Sequence, residues 1–211
     1  MVSEVYTITF LRQGESVGNL ENRFQGHANF PLTETGHAQA RLLAERWKAE
    51  GRLFDRVFSS PPARARETAE IVCAALNVLL EFDPDWMEIN NGLIAGLNHE
   101  EAAQVAARRP NFMTPYPRCG ETGESRWGLC LRAGRAIHRL LEQLAGSYLV
   151  TAHGGILNMI IFAILGIPVQ PDFFGPRFMF YNASSDTFTF EPEGHIWRML
   201  HFVGQPHSKE D

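Results

Sequence analysis

Strand-like and helix-like stretches alternate along the chain. This predicts an α/β fold of three layers, α/β/α, built on a mainly parallel sheet with an antiparallel edge strand. Three observations carry the expectation. Short runs rich in β-branched and aromatic residues are followed by stretches with helical apolar spacing. The longest apolar run, Ile156–Ile167, is too short to span a bilayer and suits a buried helix. The end of the chain carries strand-like runs with no helix between them.

The elements follow in order. Val5–Leu11 alternates and reads as the first strand. Residues 21–36, "ENRFQGHANFPLTETG", form a loop marked by Gly, Asn and Pro. Thr35–Glu50 places Ala38, Leu42, Leu43 and Trp47 at helical spacing and stops at Gly51. "DRVFSS" is a second strand, and Pro61 and Pro62 open a helix that runs to about Leu76. "VLLEF" is a third strand. Asp83–Leu97 is irregular and acidic, and Asn98 with Glu101 forms a capping pair for a helix toward Arg109. A proline-rich excursion precedes a helix over Arg126–Leu144. "SYLVTA" is a strand that "HGG" turns into the apolar helix. Phe178–Val203 reads as two or three strands, with turns near Ser184–Asp186 and Gly194. The whole, residues 1–211, is expected to be a single domain with a lid-like insertion at about 83–125.

Net charge is −5, which argues against non-specific nucleic-acid binding because that needs a basic face. A small anionic ligand stays open, since a few arginines make a positive cleft inside an acidic protein. The three cysteines, Cys73, Cys119 and Cys130, are odd in number and lack a C-x-x-C pair, which fits reduced thiols in a cytoplasmic protein. No basic stretch followed by a long apolar core opens the chain, so no signal peptide and no membrane partner are expected. The C-terminal strands suit pairing across a homodimer as well as covering an edge.

Ligands of open parallel sheets bind beyond the C-terminal strand ends. "LRQGES", "SSPPARARETA" and "TAHGG" fall at such ends and supply Arg12, Arg64 or Arg66, and His153. Two guanidinium groups and an imidazole make a clamp for a phosphoryl group, helped by backbone N–H groups at the helix starts just beyond. Arg66 reads as a solvated helix position, and Asn19 is placed to donate one more hydrogen bond. The remaining histidines show no ligand-like grouping, so no metal site is expected.

"LRQGES", "RFQG", "PLTETGHAQA", "FSSPPARARETA", "EINNGLIAGL" and "VTAHGGIL" together resemble the histidine phosphatase superfamily, the phosphoglycerate mutase-like proteins. The match covers about residues 6–203 in the family's motif order. The resemblance implies the phosphoglycerate mutase-like fold, a small phosphorylated substrate such as a phosphosugar or a phosphoglycerate-like molecule, and chemistry through a phosphohistidine without metal or cofactor. Arg12, Arg64 and His153 would hold the transferring phosphoryl group, with Asn19, Gln25 and Gly154 beside the substrate. Glu88 falls where the family keeps the proton donor to the leaving oxygen. The family's first motif is Arg-His-Gly, and here Gln13 stands in the nucleophile's place. A carboxamide nitrogen has its lone pair delocalised into the carbonyl and does not attack phosphorus, yet its NH₂ still donates to phosphate. The chain is therefore expected to bind and barely turn over. Because Arg12, Arg64, Glu88 and His153 are all kept, an engineered inactivation at residue 13 is favoured over a natural non-catalytic, regulatory relative. A cofactor-dependent phosphoglycerate mutase is the other alternative, disfavoured by the chain's compactness. Arg118 and Arg126, with Arg108 and Arg109, are candidates for a second anionic group on the substrate.

Overall fold

A computed structural model describes residues 5–105, 114–171 and 175–201. Arg108, Arg109, the far end of the helix expected toward them, and Val203 lie outside the described residues. The chain order is β1 (Tyr6–Arg12), α1 (Val17–Leu20), α2 (Glu34–Ala49), β2 (Arg56–Ser59), α3 (Ala63–Leu76), β3 (Leu80–Phe82), α4 (His99–Val105), α5 (Arg126–Leu141), β4 (Ser147–Ala152), α6 (Gly154–Leu165), β5 (Ser185–Glu191) and β6 (Ile196–His201). Two single 3₁₀ turns, Pro84–Trp86 and Gly92–Ile94, lie between β3 and α4.

The six strands run β3-β2-β4-β1-β5-β6. The first four are parallel, and β5 and β6 are antiparallel additions at one side. The antiparallel edge expected from the sequence is made by β5 and β6. Successive side chains on a strand point to opposite faces, and this sequence fills both. Tyr6, Ile8 and Phe10 of β1 join Tyr148 and Val150 of β4 in one core with α5 and α6. Leu11, Val57 and Leu149 turn the other way, onto Leu43, Ala44 and Trp47 of α2 and Val72 of α3. That is the three-layer α/β/α arrangement.

Helix starts are fixed by side chains. Thr33 caps α2 by accepting from Gly36 N–H, and Ser125 caps α5 by accepting from Gly128 N–H, both at 3.0 Å. Asn98 and Glu101 exchange hydrogen bonds at 2.8 and 2.9 Å ahead of α4, as the capping pair implied. α1 was not read from the sequence; its four residues carry their own capping box between Ser16 and Asn19.

The C-terminal reading needs correction. Residues 178–180 are not paired as a strand. Their backbone groups are met by side chains instead. Asn158 bonds both N–H and C=O of Phe178 at 2.8 Å, and Arg12 donates to Phe180 O. The turn falls at Tyr181–Ser184, closed by Ser184 N–H to Tyr181 O at 3.0 Å, with Ala183 at φ 55°. It precedes β5 rather than straddling Ser184–Asp186. Among the described residues, no helix is long and apolar enough to cross a membrane.

Candidate active site

β1, β2 and β4 are neighbours in the sheet, so their C-terminal ends bring Arg12, Ser60 and His153 to one place. Arg64, in the first turn of α3, points inward at 1% exposure, whereas Arg66 is exposed beside Glu70. Arg64 Nε–H donates to His153 Nδ1 at 3.1 Å, and its terminal nitrogens donate to Gly26 O at 2.7 Å and Ala28 O at 2.9 Å. Arg12 lies over Gly154, where an added Cβ would come within 3.8 Å of its Nε. Its Nε–H is buried with no hydrogen-bond partner.

His153 is 1% exposed. Because Nδ1 accepts from a guanidinium, the ring proton sits on Nε2 and is donated to Ser60 Oγ at 2.7 Å. Burial, then the positive charges of Arg64 and Arg12, hold this imidazole well below its ordinary range, so it is neutral. Burial also lowers Arg12 and brings Arg64 down to about 10, opposed in both by Glu88. At neutral pH Arg64 remains charged. The cluster is therefore a buried positive site with one carboxylate beside it.

That carboxylate, Glu88, lies at the N-terminus of α6. Its Oε2 accepts from Gly155 N–H at 2.8 Å, and its Oε1 from Ile156 N–H at 3.1 Å and Ile89 N–H at 2.8 Å. A Cβ on Gly155 would overlap Glu88 Oε1, so the close approach needs glycine there. Several of the backbone donors expected for an anion at the helix starts are consequently taken. Those of α6 go to Glu88, and Ala63 N–H of α3 goes to Asn29 Oδ1 at 2.7 Å.

Gln13 is 3% exposed, and its side-chain Oε1 has no partner. Its backbone is held on both sides, by Gln13 N–H to Ala152 O at 3.0 Å and by Ala183 N–H to Gln13 O at 3.1 Å. The loop after it packs on α2, where a Cβ on Gly14 would lie 2.7 Å from Gly36 O. Asn19 and Gln25 form the loop wall through Ser16, whose hydroxyl donates to Gln25 Oε1 at 2.7 Å. Asn182, which sequence reasoning missed, ties Asn19 Oδ1 to Gln13 O at 3.1 and 3.2 Å.

A cavity of about 420 Å³ borders His27 and Arg132, the two side chains that meet the Glu88 carbonyl; Arg12, Gln13, Arg64, Glu88 and His153 are not in its lining. It is lined by Arg118, Arg132, His27, Asn90 and the 122–125 turn. Arg126 does not line it. His27 and Arg132 were also missed: His27 Nε2 lies 3.0 Å from Glu88 O and Arg132 Nη2 lies 3.1 Å from it. Neither carries a local sequence signal, because each acts across more than forty residues of chain.

The model of the histidine phosphatase superfamily (branch 1) matches residues 8–202. A probable phosphoglycerate mutase GpmB of Yersinia pestis (strain Pestoides F) is 33% identical over 171 residues, spanning 78% of this chain and 77% of that one. Bacillus stearothermophilus YhfR superposes with a TM-score of 0.80 at 26% identity, covering 96% of this chain and 98% of that one. A mycobacterial glucosyl-3-phosphoglycerate phosphatase in complex with VO₃ has the same fold, with a TM-score of 0.76 at 24% identity, covering 95% of this chain and 100% of that one.

Proposed function

Because the chain belongs to the histidine phosphatase superfamily, we propose that the clustered arginines and histidine bind the phosphoryl group of a small phosphomonoester. The observation that carries the reading is the Arg12 Nε–H, a buried cationic donor without an acceptor beside charged Arg64. Such a donor costs free energy unless an acceptor arrives. A phosphoryl oxygen is the acceptor whose charge also relieves the crowding of two guanidinium groups.

In this reading residue 13 is the nucleophile's position, and a histidine there would attack phosphorus in line. The P–O bond to the alcohol breaks as the new N–P bond forms. Glu88 gives its proton to the leaving oxygen, and water then cleaves the N–P bond with Glu88 taking the proton back. Arg12 and Arg64 stabilise charge on the equatorial oxygens, and His153 joins them by exchanging Ser60 Oγ for a phosphoryl oxygen at Nε2. With Gln13 in place binding persists and turnover nearly stops. Restoring turnover with Gln13→His, assayed on a generic phosphomonoester, tests the reading. Background activity in a folded Gln13→His protein would overturn it in favour of a non-catalytic phospho-ligand-binding protein.

The cavity bordered by His27 and Arg132 takes the alcohol portion of the substrate, and Arg118 reads a carboxylate or second anion on it. Arg118 lines that cavity and, among the described residues, has no ion-pair partner. Arg118→Ala is expected to raise KM about tenfold for a carboxylated phosphoester and leave a neutral one unchanged. An unchanged preference removes the assignment. Arg126 is a weaker candidate, being outside the cavity lining. The name of the Yersinia pestis relative favours a mutase as the second reading. Measuring phosphate release against isomer formation separates the two.

A further inference from the structure

Arg132 of α5 makes five hydrogen bonds, two to the Glu124 carboxylate and three to carbonyls of the 85–88 stretch. Nε and Nη2 donate to Glu124 Oε1 at 3.0 Å and Oε2 at 2.7 Å. Nη1 donates to Asp85 O at 2.9 Å and Met87 O at 2.6 Å, and Nη2 also donates to Glu88 O at 3.1 Å. Glu124 is itself tied to the chain just past Glu88, with its N–H on Asn90 O at 2.8 Å. His27 Nε2 shares the Glu88 carbonyl at 3.0 Å. Three carbonyls, one from the Pro84–Trp86 turn and two from the loop after it, are thus aimed at one largely buried guanidinium, whose charge is balanced by one carboxylate.

We infer that Arg132, set by Glu124, is a positioning residue that fixes the 85–88 loop so that the Glu88 carboxylate rests on the N-terminus of α6 beside the phosphoryl site. The loop has no ladder of its own to hold it, since only one 3₁₀ turn, Pro84–Trp86, precedes Glu88. Its direction is set by where its carbonyls are satisfied. A planar fork with five donors meets three carbonyls and two carboxylate oxygens at once; a lysine with three donors cannot. The catalytic consequence rests on Glu88 being the proton donor to the leaving oxygen, whereas the positioning itself does not.

The test begins with the chain as it stands and reads the backbone amides of Gly155 and Ile156 by NMR, the two that donate to Glu88 from α6. Glu88→Ala marks where those resonances go when the carboxylate is gone. Arg132→Gln is expected to move the same two in the same direction and to speed their hydrogen exchange by roughly tenfold, with the amides of β1 and β4 unmoved. If Arg132→Gln does not fold, Glu124→Gln is read the same way. Parental positions for both resonances in a folded variant overturn the inference. In the Gln13→His protein, Arg132→Gln is expected to lower kcat/KM about 100-fold for an alkyl phosphomonoester. The loss on p-nitrophenyl phosphate, whose leaving oxygen departs unprotonated, is expected to be only a few-fold. Equal losses on both substrates overturn the link to Glu88. Absence of any turnover in Gln13→His counts against the phosphatase reading, and the amide measurement then decides the brace alone.

Discussion

At residue 13 the main chain is fixed by β4 on one side and by the Asn182–Ala183 turn on the other, whatever side chain it carries. Gln13→His is therefore expected to fold unchanged and to raise phosphomonoester turnover by about 10³–10⁶-fold, equivalent to about 4–8 kcal/mol of barrier. Steady-state phosphate release measures it. His153 gives a second expectation at this scale. It is neutral when folded, while the unfolded chain takes up a proton below the ordinary value of 6.5. Its contribution to stability is complete above that pH and is lost as pH falls below it, by up to about 1.4 kcal/mol per pH unit. His27, lowered chiefly by burial, adds in the same direction. Urea unfolding at about pH 7.5 and about pH 5.5 should show a smaller loss for His153→Asn than for the parent; parallel losses would contradict the buried neutral imidazole.

At the scale of elements, the contact between α6 and the loop carrying Glu88 is closed by a glycine. Gly155→Ala puts a methyl group where Glu88 Oε1 now lies, so the carboxylate must leave the helix terminus. In the Gln13→His protein this should cost about 10²–10⁴-fold in hydrolysis of an alkyl phosphomonoester, the usual worth of a general acid. Phosphate affinity should change little, because Arg12 and Arg64 are untouched. A loss of phosphate binding equal to the loss of rate would place Glu88 in binding rather than in proton transfer. The same scale explains where sequence reading stopped. The period-2 and period-3.6 stretches gave β1, β2, β4, α2, α3 and α6 nearly to their ends, because each meets its partner layer with a regular apolar face. "FMFYN" has equally strand-like composition, yet its polar backbone groups are met by Asn158 and Arg12 from elsewhere. No local pattern encodes that.

For the whole molecule, three parallel strands end side by side, and the residues at their ends become one buried cationic site in a chain of net charge −5. Arg12, Arg64, His153 and Glu88 were legible because each stands in a motif at a strand end or in a loop the family resemblance marks. Arg132, His27, Asn182 and Ser60 were not. Alone, each reads as an ordinary polar surface position, and its partner is supplied only when the sheet order brings distant turns together. The most direct measurement is the mass of the residue 13 peptide after mixing protein with a phosphomonoester and quenching rapidly. The Gln13→His protein should carry one acid-labile, alkali-stable phosphoryl group on that residue, and the Gln13 chain none. Turnover by Gln13→His with no phosphoryl group ever found at residue 13 would contradict the account.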